Sequence, residues 1–285
     1  MASCRGRVAL VTGSSRGIGR AIARRLSAEG ASVVLSASRL GAHGSLEGTL
    51  EDAVEEIEAS GGRAVAVVAN LASEDERRDL VARAEQAFGP LDILVNNAAM
   101  GKWALPSEST LSDRRKMIEV NLQAPVDLAQ QALPGMRARG RGWILNISSE
   151  TARQPGVPYP DSPEAAHVIA SYGATKAALN RYSEGLAHEV APDGIFVNTL
   201  APVAIVLTQE TARFVGHIAK RRPDMAEPVE TMVEAALALV TERHVGEVAY
   251  SRPFLHALGR AVRSLDGSRV IGDAQMPADL DAVVL

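Results

Sequence analysis

The sequence predicts an α/β protein in which a doubly wound, seven-stranded parallel sheet carries helices on both faces. Short apolar runs alternate along the chain with segments whose apolar residues recur at helical spacing, and strands that alternate with helices pair in parallel with both faces covered. A glycine-rich turn also joins the first apolar run to the first helical segment. The chain has 285 residues, of which 46% are hydrophobic, which suits one domain with a large core. We therefore expect a single domain over 1–285, in which a C-terminal extension (about 252–285) packs on the rest.

The predicted strands are short and rich in Val, Ile, Leu and Ala; they are Val8–Val11, Ser32–Ala37, Arg63–Ala69, Ile93–Asn96, Trp143–Ser148, Ile195–Leu200 and Glu247–Tyr250. The predicted helices repeat apolar residues every three or four positions; they are Gly17–Ala28, Thr49–Ser60, Glu74–Phe88, Ser112–Met136, Ala170–Val190 and Pro228–Thr241. Right-handed crossovers bring the carboxyl ends of parallel strands to one edge, where ligands of such folds bind. The turns that follow strands are therefore the places to search for a site.

The first of these turns reads Thr-Gly-Ser-Ser-Arg-Gly-Ile-Gly over Thr12–Gly19. Gly13 suits a tight turn, Gly17 lets backbone approach a diphosphate, and Gly19 permits close packing of the helix. The N-terminus of the following helix offers free N–H groups to phosphate oxygens. The pattern predicts a dinucleotide site, and an ordinary strand–helix turn is the alternative reading when this turn is taken alone.

A tyrosine and a lysine four residues apart form the second candidate site. Tyr172 and Lys176 lie within the predicted helix Ala170–Val190, so they share one face of it. An ammonium beside a phenol lowers the phenol's pKa, and such a phenol can exchange a proton with a carbonyl or alcohol. Taken alone, such a pair is more often just a solvated surface pair.

Together these motifs resemble those of the classical short-chain dehydrogenase/reductase family, from about Arg5 to about Tyr250. The resemblance rests on five motifs in the family's order: Thr12–Gly19, Asp92–Ala99, Glu119–Asn121, Ile144–Ser149 and Tyr172-x-x-x-Lys176. It implies a Rossmann-type fold and an oxidoreductase that moves a hydride between a nicotinamide and a carbonyl or alcohol.

The resemblance also implies a catalytic tetrad of Asn121, Ser149, Tyr172 and Lys176. Tyr172 is then the acid and base, Lys176 lowers its pKa and holds ribose hydroxyls, and Ser149 donates a hydrogen bond to the substrate oxygen. Asn121 holds a water that relays protons from Lys176; its alternative is a polar helix residue bonded to local backbone. Ser148 competes with Ser149, but Ser149 matches the family position, and strand alternation sends the two side chains to opposite faces.

The cofactor is predicted to be NADP in preference to NAD. No carboxylate follows the second strand to bind a ribose 2′-hydroxyl; Ser38 and Arg39 stand there instead, and Arg39 with Arg16 suits a 2′-phosphate. The alternative is that both arginines only face solvent. The residues expected to bind the cofactor are Gly13, Ser15, Arg16, Gly17, Ile18, Gly19, Ser38, Arg39, Asn70, Leu71, Asn97, Ala98, Tyr172, Lys176, Pro202 and Thr208.

Composition limits the partners. The net charge of −4 provides no basic field for nucleic acid, and no apolar run reaches the length of a membrane span. The single cysteine permits no intrachain disulfide, and the six histidines lack ligand spacing, so we expect no metal. We predict a cytoplasmic protein that acts on a small carbonyl or alcohol, and the resemblance implies a homotetramer or homodimer.

Several departures from the family leave the substrate open. Ser149 and Tyr172 are 23 residues apart, longer than is usual, and a proline-rich loop over 153–163 holds the surplus. Val203 stands where glycine is usual, and Leu255, Leu258 and Val262 hint at a short amphipathic helix in the extension. Within the family a 3-oxoacyl carrier-protein reductase is one candidate. A cofactor-binding sensor without turnover is the alternative from another class, although it predicts an eroded tetrad.

Overall fold

A computed structural model describes residues 3–42, 48–102, 104–153, 169–208 and 226–273. Seven strands form one parallel sheet, as predicted. Their bounds are Val8–Thr12 (β1), Ser32–Ala37 (β2), Arg63–Val68 (β3), Ile93–Asn96 (β4), Gly142–Ile147 (β5), Ile195–Ala201 (β6) and Val248–Tyr250 (β9). Their order across the sheet is β3-β2-β1-β4-β5-β6-β9. The order reverses between β1 and β4, and such a switch point opens a crevice at the carboxyl ends of the strands.

Helices cover both faces of this sheet. They are Gly17–Ala28 (α1), Leu50–Ala59 (α2), Glu74–Arg77 (α3), Leu80–Phe88 (α4), Leu111–Ile118 (α5), Ala124–Arg139 (α6), Ala170–Val190 (α7), Val229–Thr241 (α8) and Ser251–Ala257 (α9). On one face Ile22, Leu26 and Val233 pack in one apolar cluster, and on the other Leu80 and Leu128 belong to a second. The two-layered core fixes the sheet, and so fixes the turns at its edge.

Two of the predicted helices are interrupted. The prediction of one helix over Glu74–Phe88 is wrong, because Asp79 departs from helical backbone angles (φ −118°, ψ 11°) and divides it. The predicted helix Ser112–Met136 runs on to Arg139 but contains a π-helical turn at Glu119–Gln123. Apolar spacing continues through both breaks, so the sequence pattern did not reveal them.

The C-terminal part adds two small sheets that the sequence analysis did not predict. Ile205–Leu207 (β7) pairs in parallel with Ala226–Pro228 (β8), so Pro228 belongs to a strand and not to the predicted helix. Val262–Arg263 (β10) pairs antiparallel with Val270–Gly272 (β11). These pairs hold the chain against the carboxyl edge of β6 and against α8.

The hinted helix of the extension is half correct. It covers Ser251–Ala257 and buries Leu255, but Leu258 is exposed and Val262 lies in a strand. Residues 274–285 of the extension and the loop over 154–163 lie outside the described residues. Among the described residues, no helix is long and apolar enough to cross a bilayer.

Candidate active site

The glycine turn after β1 is held by the loop after β4. The Asn97 side chain donates from Nδ2 to the carbonyl oxygens of Thr12 (2.9 Å) and Gly13 (3.1 Å). Gly13 has a positive φ of +63°, and a Cβ at Gly19 would lie 2.4 Å from the Asn97 amide nitrogen. A side chain at Gly19 is therefore excluded by packing, whereas one at Gly17 would meet no atom within 4 Å. Gly17 opens onto the space beside the N-terminus of α1, whose first turn has no acidic residue.

A cavity of about 1210 Å³ runs along the carboxyl edge of the sheet from this turn to Ser149. Most of the residues predicted to bind cofactor line it, and these are Gly13, Ser15, Arg16, Gly17, Ile18, Ser38, Arg39, Asn70, Leu71, Asn97, Ala98, Pro202 and Thr208. Gly19 lies behind the turn, and Tyr172 and Lys176 lie behind Ser149 in α7 without lining the cavity. The structure thus brings together turns that are up to 195 residues apart in sequence, from Gly13 to Thr208.

The end of β2 presents Ser38 and Arg39, both exposed. Within the described lining, the acidic side chain is Glu150, which lies beside Ser149 and away from the end of β2. Asn70 uses its Oδ1 to accept from the Ala72 amide (3.1 Å), which closes a local turn at the cavity wall. This end of the cavity therefore offers a guanidinium and hydroxyl groups to a ligand.

Ser149 and Tyr172 meet at the other end of the cavity. The phenol of Tyr172 is hydrogen-bonded to Ser149, whose Oγ also accepts from the Thr151 hydroxyl at 2.9 Å. Ser148 is buried, and its hydroxyl has no hydrogen-bond partner within the described chain. Ser149 and not Ser148 therefore faces the tyrosine, in line with the predicted choice between them.

Lys176 is fully buried beneath the tyrosine. Its Nζ donates to the carbonyl oxygen of Ile147 (2.7 Å) and lies 5.8 Å from the centroid of the Tyr172 ring. Burial lowers the pKa of Lys176 from 10.5 to about 8 because desolvation disfavours the charged form.

The prediction that Lys176 lowers the pKa of the phenol is wrong for this arrangement. Burial raises the pKa of Tyr172 to about 12, and the hydrogen bond with Ser149 opposes that shift only in part. The reason is the desolvation of the phenol, which outweighs the lowering that the sequence predicted. Shared helical spacing placed the two side chains on one face, but it did not reveal the burial that raises the pKa of the phenol.

Asn121 occupies the π-helical turn and is fully buried. Its Oδ1 accepts from the Met100 amide (2.8 Å), and its Nδ2 donates to the Met100 carbonyl (2.8 Å) and to the Thr175 hydroxyl (3.0 Å). Thr175 in turn donates to the carbonyl oxygen of Tyr172 (2.7 Å). The alternative of a bond to local backbone is wrong, because the side chain joins the loop after β4 to the helix that carries Tyr172.

Several polar residues for which the sequence indicated no role order the site from beneath the cavity. The Thr12 hydroxyl accepts from the amides of Asn97 and Ala98, both at 3.1 Å. Asn96 donates to Asn146 (2.8 Å), which donates to Ser183 (2.8 Å), so a buried polar chain crosses from β4 through β5 to α7. Asn146 carries a readable signal, since an amide within an apolar strand must find a buried partner.

Comparison with known proteins identifies the class. The model of the short chain dehydrogenase family matches residues 7–216. An uncharacterised oxidoreductase of Methylorubrum extorquens is 40% identical over 206 residues, covering 72% of this chain and 76% of that protein. A 3-oxoacyl-[acyl-carrier-protein] reductase of Staphylococcus aureus is 37% identical over 200 residues, covering 70% and 74%. The chain therefore belongs to the short-chain dehydrogenase/reductase family and is an oxidoreductase.

Solved structures agree with the fold. A 3-oxoacyl carrier-protein reductase of Agrobacterium tumefaciens with NADP bound has a TM-score of 0.74 at 35% identity, covering 87% of this chain and 93% of its own. The L-sorbose reductase of Gluconobacter frateurii, complexed with NADPH and L-sorbose, has a TM-score of 0.74 at 30% identity, covering 86% and 95%. The Rossmann-type sheet predicted from the sequence is thus the sheet of the family.

Proposed function

We propose that this enzyme transfers a hydride between NADP(H) and a small carbonyl or alcohol substrate, with Tyr172 as the proton donor and acceptor. The observation that carries the proposal is the hydrogen bond between Tyr172 and Ser149 at one end of a cavity whose other end is a glycine turn. A dinucleotide phosphate would bind at the glycine turn, and a substrate carbonyl would bind at the hydroxyls of Ser149 and Tyr172.

The cavity fits a dinucleotide on features of this chain. Gly17 leaves open space beside the N-terminus of α1, which suits a diphosphate. Ser38 and Arg39, after β2, are expected to hold the adenosine ribose, and Pro202 and Thr208 also line the cavity. When bound, the nicotinamide supplies or accepts the hydride.

The protein's own residues manage the substrate oxygen. Ser149 donates a hydrogen bond to that oxygen as negative charge develops, and Tyr172 delivers its phenolic proton there. A pKa of about 12 keeps the phenol protonated at neutral pH, so the free site is prepared for reduction. Lys176, whose ammonium is mostly charged at pH 7, would hold ribose hydroxyls of a bound cofactor, as it is expected to do from the family resemblance. Asn121 fixes the helix that carries Tyr172 to the loop after β4.

Titration of the purified protein with NADPH and NADH, followed by cofactor fluorescence, tests the cofactor half of the proposal. We expect tight NADPH and weak NADH, which agrees with the NADP-bound relatives. Arg39→Ala should weaken NADPH about tenfold and leave NADH nearly unchanged, since one charge-assisted contact to the 2′-phosphate is lost. Equal loss for both cofactors would contradict the NADP preference.

A 3-oxoacyl carrier-protein reductase is the second candidate, because two relatives with that activity in their names are 37% and 35% identical to this chain. Turnover of a 3-oxoacyl thioester can be compared with turnover of a ketose, the substrate type bound by the L-sorbose reductase. A clear preference for the thioester would select this candidate. No turnover of any carbonyl despite tight NADPH binding would instead favour a sensor.

We also propose a cytoplasmic homo-oligomer, a dimer or tetramer, with α6 and α7 at the contact. A cavity between these helices is lined by apolar side chains such as Leu122, Val126 and Tyr182. Light scattering of the purified protein gives its mass, and a monomer at micromolar concentration would contradict the proposal.

A further inference from the structure

Glu227 is a fully buried carboxylate outside the predicted site. It lies in the short strand β8 with no exposed surface. The Ser251 hydroxyl lies 2.9 and 2.7 Å from its two oxygens, and the Arg252 guanidinium lies 3.4 Å from one of them. Both partners stand at the start of α9, directly after the last strand of the sheet. Glu227 thus joins two C-terminal segments.

The carboxylate also holds the wall of the cofactor cavity. The backbone N–H of Val203 donates to it, and Val203 belongs to the segment Pro202–Val206 that lines the cavity after β6. The same segment pairs with β8 through backbone bonds, in a register that places Val206 opposite Glu227. The backbone of the wall is therefore tied at two places to the strand that carries Glu227.

The groups around Glu227 partly offset the cost of burying its negative charge. Burial raises its pKa to about 7, while the hydrogen bonds from Ser251 and Val203 and the charge of Arg252 favour the ionised form. A buried carboxylate is costly unless donors compensate it. Here the donors come from the cavity wall and from α9, so the compensation itself connects these two elements.

We propose that Glu227 is a positioning residue that fixes the Pro202–Val206 wall and, through it, the nicotinamide end of the bound cofactor. The inference rests on the proposed cofactor site. It makes the C-terminal segment part of the active site's support: Ser251 and Arg252 orient the carboxylate, the carboxylate orients the Val203 amide, and the wall then presents one fixed surface to the cofactor.

The test compares Glu227→Ala and Glu227→Gln with Glu234→Gln. Glu234 is a matched control, because it is a buried carboxylate on the following helix that pairs with Arg25 and Arg260, away from the cavity. The measurements are the Kd for NADPH by fluorescence, KM and kcat with a carbonyl substrate, the melting temperature, and hydrogen exchange of the peptide that contains 202–208.

We expect Glu227→Ala to weaken NADPH about tenfold, the effect of one lost hydrogen bond to a charged group, and to speed exchange in 202–208. Glu227→Gln keeps one acceptor oxygen for Val203 and should recover most of the affinity. Glu234→Gln should lower the melting temperature and leave Kd and exchange at 202–208 unchanged. If Glu227→Ala does not fold, Ser251→Ala, which removes only the orienting hydroxyl, should show the same direction of change.

Wild-type affinity and exchange in every folded Glu227 and Ser251 variant would overturn the inference and leave the proposed function intact. An equal loss of affinity in Glu234→Gln would also overturn it, because the effect would then be general destabilisation. Wild-type protein that binds no NADPH would overturn the proposed function, and the inference with it.

Discussion

At the scale of single residues, burial moves the pKa values of Tyr172 and Lys176, both in α7, in opposite directions. The pKa of Tyr172 rises to about 12 and that of Lys176 falls to about 8, because each side chain is pushed toward its neutral form. At neutral pH the phenol is protonated and the amine is still mostly charged. That combination suits a proton donor beside a cationic anchor.

Removing the phenolic hydroxyl should separate chemistry from binding. Tyr172→Phe should bind NADPH within about twofold of wild type but lose at least about 10²-fold in kcat, the usual contribution of a positioned acid. Single-turnover mixing with NADPH and substrate measures the rate, and a fluorescence titration provides the binding control. A Phe variant that reduces substrate at a near wild-type rate would contradict the assignment of Tyr172.

Removing the buried ammonium should stabilise the fold. The pKa of Lys176 is about 8 in the protein against about 10.4 in an unfolded chain, which corresponds to about 3 kcal/mol against folding at pH 7. Lys176→Met should therefore raise the free energy of unfolding by about 2 kcal/mol, after about 1 kcal/mol for the lost hydrogen bond to Ile147.

The sign of this effect can be checked with pH. The cost of the ammonium begins to fall as the pH rises through about 8 and is gone above the unfolded value of about 10.4. Urea unfolding at pH 7 and pH 9.5 should thus show the gain from Lys176→Met shrinking at the higher pH. A variant less stable than wild type at pH 7 would contradict the argument.

The sequence predicted which of these side chains share a face but not their protonation. Spacing of four placed Tyr172 above Lys176, as the structure shows. The direction of a pKa shift depends on burial and on the orientation of Nζ toward Ile147, and neither is encoded in spacing. Asn121 was selected for its position in a motif, while two of its bonds depend on a loop 21 residues away and the third depends on Thr175 in α7, 54 residues away.

At the scale of elements, the glycine turn after β1 and the loop after β4 form one unit. The Asn97 side chain donates hydrogen bonds to the carbonyl oxygens of Thr12 and Gly13. The Thr12 hydroxyl accepts hydrogen bonds from the amides of Asn97 and Ala98. The turn after β1 and the loop after β4 are therefore hydrogen-bonded to each other beneath the cavity. The phosphate site in the first turn could be predicted from the residues of that turn alone. Its hydrogen bonds to the loop after β4 could not, because they depend on the fold that brings the two segments together.

Alanine substitutions should separate two of the glycines. Gly19→Ala places a Cβ 2.4 Å from the Asn97 amide and should destabilise the protein by more than about 2 kcal/mol, as overpacking does. Gly17→Ala meets no atom within 4 Å and should cost about 1 kcal/mol for its positive φ, yet weaken NADPH strongly by occupying the diphosphate space.

Thermal unfolding and NADPH titration of both variants measure these effects. Equal stability losses would contradict the packing argument for Gly19. Unchanged NADPH affinity in Gly17→Ala would contradict the placement of the diphosphate beside α1.

At the scale of the whole molecule, a buried ion-pair network ties the C-terminal segment to the first helix. Glu234 on α8 pairs with Arg25 on α1 (2.8 Å) and with Arg260 after α9 (2.6 Å), and Arg260 also pairs with Glu242. The Arg25 and Glu234 side chains are only 3% and 2% exposed. Because these charges are desolvated, removing one partner leaves an uncompensated charge.

Arg260→Ala should lower the free energy of unfolding by about 1–3 kcal/mol, with NADPH affinity unchanged. Arg78→Ala is the matched control, since Arg78 pairs with Glu74 and Asp75 while 66% exposed, and exposed pairs contribute about 0–1 kcal/mol. Urea unfolding of both variants decides the question; similar small losses would show that the network does not anchor the segment.

The sheet and its order of elements followed from alternation of apolar patterns, whereas the two small sheets did not. Ala226–Pro228 has three residues, one of them charged, and no periodicity can be read from so short a strand. Its pairing with Ile205–Leu207 depends on how β6 ends against the rest of the fold. Long-range contacts of this kind are fixed by the assembled core and not by local pattern.

The contrast between an exposed Arg39 and a buried Lys176 has a metabolic consequence on the proposed function. Arg39, which we propose discriminates between the two nicotinamide cofactors, lies at the rim, where most substitutions are tolerated, while Tyr172 is half-buried and Lys176 is fully buried. One or two surface substitutions could therefore switch the enzyme between the biosynthetic and the catabolic pool of reducing equivalents. The catalytic residues would not need to change.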